Sequence, residues 1–430
     1  MTAHAEIALT IYNQDLALVR ETRELEFVKG ESELCFTDVA AQIIPTSVHF
    51  SSPLATLLEQ NYEYDLVDAD KVLTKFIDRD IELISLESGV FKGTLLGNKG
   101  GIVMRESDGS IRSITPSWVA NIHFPKLPEG LITRPTLVWK VKSPKGGKGQ
   151  GEISYLTNGI NWEAEYVAVV DDRDENLELT GWVNVTNNSG ASYRDARLKL
   201  MAGDVKIESR RDKRDRRFVQ SLSVEASAGS DEGFQEQPFY EYHLYMLPRP
   251  STILDQQIKQ LSLFPSANTP VKKEYKYTPG ENNKKVQVNL EFQNRESVGL
   301  GLPLPKGKVR VYKEGPDGGL EFVGEDRIDH TPKDEKVRVS TGNAFDIVGE
   351  STQTDYQRRG NDTEREMSIK LRNHKKEAVE VLVVEYFGRD WTLLDGTTPG
   401  WTKTDANHAE WKITLKPDEE REVHYRVLQR

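Results

Sequence analysis

The chain has one cysteine, Cys35, in 430 residues. That excludes an intramolecular disulfide framework and any cysteine-rich zinc site. No run approaches the roughly 18 consecutive apolar residues of a membrane-crossing helix, so no transmembrane segment is expected. Met1–Leu9 has neither a basic nor an apolar export region, so no signal peptide is read in the chain as given and its compartment stays open. Positive charge is also in short supply: 57 Lys and Arg stand against 68 Asp and Glu, a net charge of −11. Such a field repels phosphate backbones, so no specific nucleic acid is expected as a partner. Gly93, Gly97, Gly100 and Gly101 sit in hairpins rather than before a helix. There is no nucleophile elbow, no His-x-x-x-His pair and no Ser/His/Asp set. No cofactor is expected.

What the chain does have is alternation. Three stretches, Leu177–Leu200, Lys285–Tyr312 and Arg365–Tyr386, each run a strand with apolar residues at every second position into an asparagine turn and out into another strand. This pattern predicts an all-β protein of two antiparallel, immunoglobulin-like β-sandwich units. The length is enough for about three domains.

Residues 1–66 read as an N-terminal β segment of the first sandwich. Within 67–125, Asp68–Ile77 has helical spacing with Asp68 or Asp70 able to cap it, and about five brief strands follow, joined by Ser-Gly and Asp-Gly turns. Strands this short and regular predict a small inserted barrel of SH3-like or Sm-like form, with Trp118 packing its closing strand. Three prolines in Pro125–Pro135 mark a boundary. Residues 126–205 then supply the remainder of the first sandwich. Residues 206–238 carry a charge run and an aperiodic Ser, Ala, Gly and Glu stretch, the composition of a flexible insert. Strands resume at Phe239–Leu247, and 239–430 reads as the C-terminal β-sandwich domain.

The stretches SYLTNGINWEAEYVAVV, GWVNVTNNSGASYRDARLKLMAGDV, YHLYMLPRPSTILDQQIKQLSLF and PLPKGKVRVYKEGPDGGLEFVGEDRIDHTPKDEKVRV resemble a bacterial family catalogued as a domain of unknown function. That family is similar to the C-terminal domain of mucoidy-inhibitor-A-like proteins. The resemblance covers roughly 9–430. It implies a β-sandwich fold, hints at an extracytoplasmic setting and a link to cell-surface polysaccharide, and carries no catalytic residues over.

Three polar groupings invite chemistry. In Gly324–Pro332, Asp326, Asp329 and His330 combine two carboxylates with an imidazole, which can hold a divalent metal or activate water. The competing reading is a solvated strand edge or a turn bonded to its own backbone. Glu163 and Glu165 face the same way on a strand, about 7 Å apart, within the range of inverting glycosidases. On the wet face of an amphipathic strand, with Trp162, Ala164 and Tyr166 inward, such a pair is equally ordinary. Lys206–Arg217 carries seven basic and three acidic residues, so Arg210, Arg211, Arg214 and Arg217 could contact an anionic partner or pair with the interspersed Glu208, Asp212 and Asp215 as a solvated stretch. Asn184, Asn187 and Asn361 open glycosylation-type triplets but read as turn residues.

These observations predict a non-enzymatic binding or scaffolding protein of unknown ligand. Its expected partner is a protein or a glycan, with homo-oligomerisation through sheet edges open. The alternative is a metal-assisted hydrolase of glycans or peptides centred on Asp326, Asp329 and His330.

Overall fold

A computed structural model describes residues 6–86, 89–128, 131–203, 205, 234–280, 282–388 and 390–430. Strand accounts for 65% of it and helix for 4%, which settles the all-β class. One sheet of thirteen strands carries most of the second half of the chain. An eight-stranded sheet and a three-stranded sheet, both built around N-terminal strands, lie with it, and a five-stranded sheet holds 80–123.

The three asparagine stretches are corners rather than hairpins. Asn176–Asn187 pairs with Ile160–Val170 and Gln257–Tyr277, whereas Tyr193–Ala202 joins another sheet beside Glu6–Tyr12. Lys285–Gln293 and Gly307–Glu314 likewise have different neighbours, as do Asp362–Asn373 and Val379–Tyr386. In each case the outgoing strand lies parallel to an earlier one, and these are the three parallel pairs among the described strands. A parallel pair requires the chain to leave the sheet and cross over, which a tight turn cannot do.

Leaving the ladder strands backbone groups in the interior, and the asparagines supply their partners. Asn187, Asn294 and Asn373 are 0%, 0% and 1% exposed. Asn187 donates to the Ala191 carbonyl at 2.8 Å and accepts from the Ser189 N–H. Asn294 donates to Leu302 and Pro332 at 2.7 and 2.9 Å and accepts from Gly301. Asn373 donates to Glu377 and Lys416 at 2.8 and 2.9 Å and accepts from Lys375. A primary amide offers donors and an acceptor in the geometry of a peptide group, so it replaces the missing ladder. Asn187, the middle of the three triplet asparagines, is thus a buried corner residue.

Apolar residues gather in three clusters. The largest draws on both N-terminal sheets and the first part of the big sheet, with Trp139, Trp162 and Tyr166 at its centre. A second, around Trp411, Phe387 and Tyr425, fills the C-terminal sandwich. No linker separates the two. Gln257–Tyr277 gives Leu261 and Phe264 to the first and Tyr275 and Tyr277 to the second, and Lys336–Arg359 is shared in the same way.

The third cluster lies under the five-stranded sheet and the helix Ala69–Lys75. Asp68 caps that helix by accepting the Lys71 N–H at 2.8 Å. The edge strands Ile111–Ile114 and Val119–His123 do not pair with each other, so this sheet stays open. Trp118 ends a 3-10 turn ahead of the last strand and is 53% exposed, not packed inward as the sequence suggested.

The charge run and most of 206–238 lie outside the described residues, and with them Arg210, Arg211, Arg214 and Arg217. Strand resumes at Gln235, four residues before the sequence reading placed it. The expected single strand from Phe239 is a hairpin of Gln235–Phe239 and Tyr242–Met246, because Tyr240 takes a left-handed φ of 58° at the turn.

Candidate functional site

The structure assigns structural partners to the residues singled out in 324–332. Seven strands of the large sheet, from Leu320–Ile328 round to Lys336–Arg359, curl until the first lies against the last. Gly324 makes that approach possible, since a Cβ there would sit 2.4 Å from the Thr341 carbonyl oxygen. Asp326 then bridges the seam: one carboxylate oxygen accepts the Ser340 N–H at 2.7 Å and the other accepts the Arg327 N–H at 2.8 Å. His330 lies beyond the strand end, its Nδ1 accepting the Lys306 N–H at 3.2 Å. Asp329 is exposed, and its carbonyl accepts the Thr331 hydroxyl. Leu304 and Thr331 exchange backbone bonds and fix this segment. Among the described residues no group of three or more His, Cys, Asp or Glu is placed to hold a metal ion.

Glu165 and Glu163 share the outer face of Ile160–Val170, with Trp162, Ala164 and Tyr166 buried beneath. Glu165 bonds the Arg310 guanidinium at 2.7 Å, and that bond holds its carboxyl below the usual carboxylate range. A carboxylate kept ionised in this way is poorly suited to protonate a leaving group.

The arrangement that sequence reading missed lies at one end of the C-terminal sandwich. Three strands there carry inward rows of apolar residues: Met367, Ile369 and Leu371; Val379, Val381 and Val383; Val423, Tyr425 and Val427. Continuing each row by two residues toward the same end reaches Arg365, Glu385 and Gln429. Period-two alternation therefore turns three polar side chains into the sandwich interior. The signal was present in VEVLVVEY, where a glutamate occupies the position at which the valine row would continue.

Glu385 is 8% exposed, and Tyr425 donates its hydroxyl to the Glu385 carboxylate at 2.6 Å. Burial pushes the Glu385 carboxyl above its ordinary range, since the charged form loses solvation. It raises the Tyr425 phenol as well. Arg365 donates to the Gln429 side-chain oxygen. Above this floor opens a cleft of about 410 Å³, lined by Tyr356, Arg358, Asn361, Thr363, Gly388 and Gln429. Tyr356, Arg358, Thr363 and Gln429 come from adjoining strands in register, Tyr356 opposite Arg365, Arg358 opposite Thr363 and Thr363 opposite Gln429. The cleft is thus the open mouth at one end of the C-terminal sandwich, walled mainly by three neighbouring strands of the large sheet. A concave space with convergent polar groups and a perturbed carboxyl behind it has the features of a binding site.

None of the described helices is long and apolar enough to cross a membrane. No curated protein matches the chain. Residues 152–430, more than half of the chain, match the model of a family described as a domain of unknown function, DUF4139. They contain the Asp326 seam, all three asparagine corners and the mouth of the C-terminal sandwich. The chain belongs to the DUF4139 family.

Proposed function

We propose that the protein is a non-enzymatic binding or scaffolding module whose recognition site is the mouth of the C-terminal sandwich. The observation that carries this reading is the cleft of about 410 Å³ above a fixed polar floor. Its lining offers an aromatic face, a guanidinium, two amides and a hydroxyl, which suits recognition of a polar group on a protein or glycan partner. Of the acids that favoured hydrolysis, Asp326 is bound to backbone and Glu165 to arginine, which supports binding over the metal-assisted alternative.

The test is a fragment screen by ligand-observed NMR on the full chain and on a Tyr356→Ala/Arg358→Ala variant. Both side chains are exposed, so the variant folds. The proposal expects fragments that bind the native chain, lose affinity in the variant and are recovered chemically unchanged. Fragments indifferent to the double substitution would contradict it. So would a converted fragment whose turnover one substitution abolishes.

A further inference from the structure

Resting on that reading, we infer that the mouth takes a carboxylate group, received by Arg358, with Arg365 behind the lining. The first observation is a contrast among the arginines of the large sheet. Arg310, Arg338, Arg372 and Arg426 each pair with a glutamate, Glu165, Glu291, Glu350 and Glu364 respectively. Arg327, Arg358, Arg365 and Arg421 form no ion pair among the described residues, and of these Arg358 lines the cleft while Arg365 lies opposite its Tyr356. Arg358 donates its Nε–H only to the Gly360 carbonyl at 3.3 Å and is otherwise exposed. Arg365 donates to the neutral Gln429 amide, and its buried Nε has no acceptor among the described residues.

The second observation concerns the nearest buried acid. Glu385 is bonded to Tyr425 and makes no ion pair with either arginine among the described residues, though the Arg365 charge acts on its carboxyl against the upward push of burial. Among the described residues the Arg358 guanidinium at the mouth therefore has no counterion, whereas Arg365 lies within electrostatic reach of Glu385. A guanidinium cannot shed its proton, and a planar fork of donors is matched best by a carboxylate. Asn361, Thr363 and Gln429 are placed for neutral polar atoms next to that group, and the Tyr356 ring for the apolar part of the ligand.

The carboxylate could end a peptide or belong to a small free acid, and two probes separate these sources. Acetyl-Ala-Ala and its C-terminal amide form a matched pair that differs only in charge, and propionate supplies the carboxylate alone. The readout is the NMR shift of the Gln429 side-chain amide and the Arg358 Nε–H in the full chain. Hydrogen bonds to charged groups contribute more than neutral ones, so acetyl-Ala-Ala should bind about tenfold or more tighter than its amide. Arg358→Ala should remove that preference and Arg358→Lys restore part of it. Comparable affinity of propionate and the peptide acid would assign the site to free acids; stronger peptide binding would assign it to chain ends. Equal affinity of acid and amide at the mouth overturns the inference while leaving a binding site there. Silence of all three probes at Gln429 also overturns it, and the fragment screen then decides the broader reading separately.

Discussion

The large sheet places an acid in two very different settings, the seam at Asp326 and the mouth at Glu385. At the seam the carboxylate accepts two backbone N–H groups and takes the place of a ladder bond between strands that do not pair. At the mouth the carboxylate is more deeply buried, holds one tyrosine hydroxyl and lies behind an open cleft. A carboxylate whose lone pairs serve the backbone has little left for a ligand. One that is buried behind a cleft, bonded to a single tyrosine and near the Arg365 charge, leaves the exposed Arg358 at the mouth free for a ligand. Density of polar residues along the sequence is therefore a poor guide to a site, and the better guide is which donors and acceptors the fold leaves over.

The largest effect should come from the corner beneath the seam. Asn294→Ala leaves the Leu302 and Pro332 carbonyls and the Gly301 N–H without their partner, and should destabilise by about 3 kcal/mol in denaturant unfolding followed by tryptophan fluorescence. A loss well below that would mean that water enters the corner. Asp326→Ala should cost about 2 kcal/mol because the Ser340 N–H loses its acceptor. Chelator should leave the melting temperature of the native chain unchanged; a drop on chelation that Asp326→Ala abolishes would turn the seam into a metal site and break the contrast.

Glu385→Gln should raise stability at neutral pH. The folded protein favours the neutral carboxyl, so the native chain loses stability as pH rises from the unfolded value near 4.5 through the raised folded value. Glutamine does not titrate. The melting-temperature gap between variant and native chain should thus be widest near pH 7 and narrow toward pH 4. A constant gap would show that the two side chains differ only in packing. Glu165 provides the opposite sign: its lowered carboxyl contributes stability that is lost as pH falls through its folded value, so Glu165→Gln should be more destabilising near pH 7 than at strongly acidic pH. The smallest change in stability, within about 0.5 kcal/mol, should follow Arg358→Ala, an exposed side chain whose loss should show in ligand binding alone.

Much of the fold was legible in the sequence because a strand with one buried face writes its burial every second residue. Leu16–Phe27, Ile160–Val170 and Asn176–Asn187 all appear where alternation put strands. The capped helix at Asp68 was legible for the same kind of local reason. Connectivity was not. Asparagine after a strand is common in tight turns, and nothing local distinguishes a turn amide on the surface from one that replaces ladder bonds in the interior. The parallel pairings after Asn187, Asn294 and Asn373 depend on partners more than a hundred residues away. The mouth was half legible: Glu385 stands out on the dry face of its strand, but its meeting with Arg365 and Gln429 depends on strand order. The seam misled because Asp326, Asp329 and His330 are close along the chain, whereas the strand end at Ile328 and the Leu304–Thr331 pairing separate their roles.

The central claim is that the mouth, and not the 326–330 segment, is where this protein meets its ligand. The most direct test is to record the Gln429 side-chain amide and the His330 ring signals of the full chain while titrating the fragments that bind it. Saturable shifts at Gln429 with a silent His330 are the predicted result. Shifts at His330 with a silent Gln429 would contradict the account and return the segment 326–330 to the centre of the protein's function.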